Sequence, residues 1–224
     1  MATTISQGIA AVMVVIVLMR RTDSCKLHLR KIRFYKPQLV KMIRIGLPAG
    51  IQGSMFSISN VIVQSSINSF NSGVLMSGNG AAANIEGFIY VTLNAFHQTA
   101  VNFIGQNAGA RQYKRVAKIL GICMGSVAGT GLVLGSLVYK TGPFLLSLYI
   151  THSPESTQWG MIRLSIICLL YFICGMMDVS TGALRGMGES FIPMVLSVVG
   201  VCGIRIGWIM TIFQMPQFHT PQSL

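Results

Sequence analysis

The chain has 224 residues, 52% of them hydrophobic and only 10% charged, with a mean hydropathy of +0.62. A soluble domain carries about 25% charged residues, so a water-facing globule is excluded, and apolar content this high also excludes disorder. The net charge of +12 could suggest nucleic acid, but a basic patch of that kind needs a soluble body to carry it.

Taken in chain order, the gaps between charged residues define the elements. Residues 1–19 carry no charge and end at Arg20-Arg21. They lack the basic start and small-residue cleavage site of a secretory signal, and read as a membrane span with its cytoplasmic end at Arg20. Because the span opens at Met1, it is expected to be the remainder of a longer helix. The segment 20–44 is a basic linker holding Arg20, Arg21, Lys26, Arg30, Lys31, Arg33, Lys36, Lys41 and Arg44.

The charge-free stretch from Arg44 to Glu86 is too long for one helix of about 20 residues and suits two. The break is expected in Asn68-Ser69-Phe70-Asn71-Ser72-Gly73, a cluster of turn formers. Further spans follow near 76–102, 117–138, 159–182 and 191–213, after the one at 45–69. The reading is an all-α membrane protein, a polytopic helical bundle of about six transmembrane helices. Five of them form a bundle over 45–213, and 214–224 is a truncated extracytoplasmic tail.

Most of the 17 Lys and Arg residues fall in the linker, in the loop with Arg111, Lys114, Arg115 and Lys118, and at Arg185. Alternating topology puts these on one side, which the positive-inside rule makes cytoplasmic. The basic charge thus fixes orientation, and no nucleic-acid partner is expected. The five cysteines, Cys25, Cys123, Cys168, Cys174 and Cys202, show no CxxC spacing and read as packing residues. No metal site is expected.

Polar residues inside spans are costly, so their spacing is informative. In the second span Gly53, Ser57, Asn60, Gln64 and Asn68 share one helix face, either as hydrogen-bonding glue between helices or as the lining of a wet cavity. Glu86, Tyr90, Asn94 and His97 form a second stripe. Tyr171, Cys174, Asp178, Thr181 and Arg185 form a third, with Asp178 in the inner half of the membrane. A carboxyl group withdrawn from water suits a proton carrier. Counted from their cytoplasmic ends, Arg205 and Glu86 lie at depths differing by roughly 3 Å. Glu86 is therefore expected to be the counter-charge of Arg205, leaving Asp178 freer to titrate. Hydrolase and nucleotide motifs are absent, and an intramembrane enzyme built on Glu86, His97 and Asp178 has no motif behind it.

Ile45-Gly46-Leu47-Pro48-Ala49-Gly50 opens a span, followed by Gln64 with Asn68-Ser69-Phe70, and by Gly105-Gln106-Asn107 with Gly109-Ala110 before a basic loop. Leu184-Arg185-Gly186-Met187-Gly188-Glu189-Ser190 with Pro193 completes the series. Together these stretches resemble the multidrug and toxic compound extrusion (MATE) family of secondary transporters. The Asn68-Ser69-Phe70 and Ala83-Asn84-Ile85-Glu86-Gly87-Phe88 stretches look like the C-terminal lobe of its bacterial branch.

The resemblance implies twelve helices in two six-helix lobes around a central cavity. Residues 1–19 would match the end of helix six, 20–44 the interlobe linker, and 45–213 helices seven to eleven. It implies export of cationic or amphiphilic compounds in exchange for H+ or Na+, with no other cofactor. Glu86 and Asp178 are the candidates for cation coupling, and Asn60, Gln64, Asn68, Tyr90, Asn94, His97 and Tyr171 the candidates for lining the cavity. The partners implied are membrane lipid, small cationic substrates and the missing N-terminal lobe, in a multi-pass protein of the cell membrane. Alternatives are a flippase for lipid-linked precursors from the same superfamily, or a truncated chain with no transport of its own.

Overall fold

A computed structural model describes residues 2–20, 33–70, 72–150 and 153–211. Every regular element among them is helical: α1 (Ala2–Arg20), α2 (Lys36–Asn68), α3 (Gly73–Gly109), α4 (Tyr113–Tyr149), α5 (Pro154–Gly186), α6 (Phe191–Ser197) and α7 (Ile204–Met210). A π-helical stretch, Val198–Gly203, joins α6 to α7 without a break. The chain divides into two compact units, Met1–Lys41 and Met42–Leu224.

In the first unit, α1 is apolar on every side, and Ile5, Ile9, Val12, Met13 and Val17 all stand open. A helix that is hydrophobic all round and uncovered by protein belongs in lipid. Much of the linker read from the sequence, and the tail beyond residue 211, lie outside the described residues.

The second unit is built on α3, α4 and α5, which pack against one another along their lengths. Ile85, Ile89, Leu93 and Ile104 of α3 meet Val127 and Leu146 of α4 and Leu164, Cys168 and Val179 of α5 in one core. On the outside, large apolar side chains stand open, with Phe88 at 72% and Leu148 at 73% exposure. The arrangement is that of an all-α membrane bundle, whose outer apolar belt is solvated by lipid tails.

The helix ends follow local chemistry. The α2–α3 break falls at Asn68–Gly73, and the Ser72 hydroxyl accepts a hydrogen bond from the Leu75 N–H as N-cap. Pro154 begins α5 and Pro193 lies in the first turn of α6, where a missing N–H costs nothing. Between α3 and α4 the chain reverses through Arg111 at φ 57°.

The helices outrun the spans read from the sequence. The 37 residues of α4 measure about 55 Å at 1.5 Å per residue, against a hydrocarbon core of about 30 Å. Lys140, beyond the span read as 117–138, lies within α4. By length and apolarity alone, α4 and the run Phe191–Met210 are long and apolar enough to cross a membrane. α5, bent by 47° between its halves Pro154–Cys168 and Leu170–Gly186, makes a third if the two count together. Among the described residues these are the helices that pass by length and apolarity alone, within a bundle that is helical throughout.

Close approach of α4 to α5 depends on small residues. A Cβ built on Gly131 would lie 2.9 Å from the Phe172 Cα, and one built on Gly135 would collide with the Cys168 carbonyl. This is the small-residue contact by which membrane helices approach backbone to backbone. Gly135→Leu is expected to lower unfolding stability in detergent by about 3 kcal/mol or more, the upper range for overpacking. Its lipid-facing neighbour Val133→Leu, tested by the same unfolding curve, should change little.

Candidate functional site

Two carboxylates lie on adjacent helices of the core. Glu86 is among the buried residues of α3, next to Ile85 and about one turn from Ile89. Its carboxylate receives two hydrogen bonds from Arg163 of α5, Nε to Oε1 at 2.6 Å and Nη2 to Oε2 at 2.9 Å. The pair is bidentate and largely withdrawn from solvent, with 11% of the Glu86 side chain and 28% of the Arg163 side chain exposed. Arg163 Nη1 also donates to Asn79 Oδ1. Asn79 Nδ2 donates to Gln64 Oε1 at 3.3 Å, and Gln64 Nε2 to Asn68 Oδ1 at 3.0 Å. One polar chain therefore runs from α5 through α3 to α2.

The expected Arg205–Glu86 pair is not made. Arg205 Nη1 instead donates to Asn60 Oδ1 of α2 at 2.8 Å. Depth counted along a helix says nothing about which helices are neighbours. α5 packs along α3, whereas α7 has its main contact with the preceding π turn. Arg163 lies about two turns inside α5, which begins at Pro154. Arg163 and Asn79 were missed as site residues. The available signal was that Arg163, like Arg205, is a cation within a span and needs a partner.

Asp178 has different surroundings. Among the described residues its carboxylate makes no hydrogen bond or ion pair, although His97 and Arg185 lie within electrostatic range. Its backbone carbonyl lies 2.7 Å from His97 Nδ1. A carbonyl oxygen only accepts, so Nδ1 carries the hydrogen and donates, which leaves Nε2 to accept a proton or a donor. Gly182 makes room for this ring, since a Cβ there would lie 2.9 Å from Nδ1. Arg185 Nη2 donates to Gln52 Oε1 of α2 at 2.7 Å. Tyr171 is half-buried and lies within electrostatic range of Glu86, Cys174, Tyr90 and Asp178.

The structure thus gathers Glu86, His97, Tyr171 and Asp178 where α3 and α5 face each other, with the exposed Tyr90 within electrostatic range of Tyr171. Asn94 Nδ2 donates to the Tyr90 hydroxyl at 3.2 Å on the exposed side of α3. Asn60, Gln64 and Asn68 lie on α2 with the hydrogen bonds given above, two of which bridge helices. Of the eleven residues buried on α3, two, Asn79 and Glu86, are amide or acid, and both belong to the Arg163 cluster. No group of three or more metal-ligating side chains occurs among the described residues.

Against known proteins, the family model described as MatE matches residues 48–210, which include all of α3, α4 and α5. The chain belongs to the MatE family. Among curated relatives, it is 26% identical to "Probable multidrug resistance protein YoeA" of Bacillus subtilis (strain 168) over 210 residues, 91% of this chain and 44% of that protein. It is 23% identical to "Probable multidrug resistance protein NorM" of Aromatoleum aromaticum over 186 residues, 82% of this chain and 38% of that one. A third, "Uncharacterized transporter YisQ" of Bacillus subtilis, is 24% identical over 92% of this chain and 45% of its own length. The MatE chain therefore spans less than half the length of these relatives.

Proposed function

We propose that this MatE chain forms one lobe of a secondary active exporter of cationic or amphiphilic compounds, driven by exchange for H+ or Na+. The observation that carries the reading is the contrast between its two membrane carboxylates. Glu86 is neutralised by a bidentate arginine, while Asp178 makes no hydrogen bond or ion pair among the described residues. An unpaired carboxylate at low dielectric is costly, and a proton, a sodium ion or a cationic substrate relieves the same cost. Two cations that compete for one carboxylate cannot occupy it together, and that exclusion is the physical basis of exchange.

The coupling role, first read onto both acids, narrows to Asp178, with Glu86 holding α3 to α5. In this reading His97 and Tyr171 would orient or exchange a proton beside Asp178, and Tyr90, Asn94, Gln64 and Asn68 would belong to the substrate-facing side, whereas Asn60, also read as cavity lining, is engaged by Arg205. The names of the relatives support drug export, and the bilayer of the cell membrane is the proposed location. The other partners in this reading are a second lobe and the transported cation, with no bound cofactor beyond the coupling ion.

The test is drug accumulation in a host lacking its own exporters. The chain would be expressed alone and fused behind the N-terminal half of the YoeA relative, with pH and sodium gradients imposed separately. Accumulation lowered by one of the two gradients supports the reading. Accumulation indifferent to both, with the fused protein inserted and intact, contradicts it.

A further inference from the structure

The chain has five acidic residues, and their partners leave one membrane arginine without an acid. Glu86 is held by Arg163. Glu189, at the far side of the α5–α6 turn, pairs with Arg44 at 3.8 Å. Asp178 has His97 and Arg185 within electrostatic range, Glu155 lies in the first turn of α5, and Asp23 lies outside the described residues. Among the described residues, Arg205 meets only the neutral Asn60. A guanidinium has five donors, so Asn60 leaves most of them without an acceptor among the described residues.

Arg205 also stands at the edge of a hollow. An open depression of about 410 Å³ is lined by Gly200, Val201, Ile204, Arg205, Trp208 and Ile209. These residues recur on one face of the last helix, beside the π-helical stretch Val198–Gly203. Gly200 forms its bare floor, with nothing within 4 Å of where a Cβ would stand. The walls are apolar, one cation marks the rim, and the hollow opens sideways from the helix. Arg205 is five residues before Met210, the end of α7, or about 7–8 Å along the axis. A long side chain at that depth reaches the headgroup layer.

We propose that this hollow binds an anionic phospholipid, with the phosphate on the free donors of Arg205 and an acyl chain along Gly200, Val201, Ile204 and Ile209. Asn60 holds the guanidinium in place from α2, while the lipid itself would lie against the run Val198–Met210. Charge complementarity selects the occupant, since a zwitterionic lipid offers a phosphate already compensated by its own cation. The site is independent of the exchange chemistry proposed for Asp178.

Trp208 reports on the site directly. The chain has two tryptophans, so the Trp159→Phe variant leaves Trp208 as sole emitter. The full chain in nanodiscs would be titrated with phosphatidylglycerol or phosphatidylcholine carrying brominated acyl chains, which quench tryptophan on contact. At equal mole fraction, phosphatidylglycerol should be enriched at Trp208 about fivefold, the scale of one basic residue facing an anionic lipid. Arg205→Lys should keep most of the preference and Arg205→Gln should lose it. Equal quenching by both lipids in the Arg205 protein would overturn the proposal without recourse to any Arg205 variant. A preference unchanged in Arg205→Gln would overturn it too. Release of quenching by millimolar glycerol phosphate would refute a lipid occupant in favour of a soluble phosphate.

Discussion

Glu86→Gln should destabilise the bundle by about 3–5 kcal/mol, the cost of leaving a buried cation without its counter-charge. The substitution keeps the shape of the side chain but strands Arg163, which also holds Asn79 and, through it, Gln64 of α2. Arg163→Met should cost a similar amount by stranding the carboxylate. The double variant should recover most of the loss, because two neutral groups of similar volume remove both charges at once. Unfolding in detergent, followed by circular dichroism, gives the four corners of this cycle. A coupling energy near zero would mean that the pair contributes nothing to holding α3 against α5.

The second large effect concerns Asp178. Asp178→Asn should abolish gradient-driven export by the fused protein while leaving insertion and thermal unfolding close to those of the parent. The amide fills the same space and breaks no hydrogen bond of the carboxylate among the described residues, so little stability is at stake. Asp178→Glu should keep partial activity, since it retains a titratable group displaced by one methylene. Drug accumulation measured beside the unfolding curve separates loss of exchange from loss of fold.

These two acids also mark how far the sequence could be read. Charge gaps give the order of the helices but not their ends, since α2 runs back through Arg44 and Lys41 and α4 runs on through Lys140. The turn residues at Asn68–Gly73 and Pro193 mark the end of α2 and the start of α6 for local steric reasons. What the pattern does not carry is azimuth between helices. Glu86 and Arg205 have similar depths, but α3 lies along α5, and Arg163 was at hand.

The polar stripes were ambiguous for a related reason. An amide on a helix face has the same spacing whether it meets water or another amide. Gln64 meets Asn79 and Asn60 meets Arg205, hydrogen bonds between helices whose partners spacing alone did not name. Glycine was legible only as frequency. That Gly135 meets the Cys168 backbone and Gly182 the His97 ring depends on which helices approach, which no single-chain pattern states. The family resemblance bridged this gap for the fold, and the match over residues 48–210 bears it out.

The central claim is a division of labour, with Asp178 exchanging cations and Glu86 only bracing the helices. It is tested most directly by comparing Glu86→Gln/Arg163→Met with Asp178→Asn in one fused protein. Drug accumulation would be followed in the exporter-deficient host under an imposed gradient. The account predicts that the double variant, with its charge pair replaced by neutral groups, still exports, and that Asp178→Asn does not. Export retained by Asp178→Asn and lost by a stably folded double variant would contradict it.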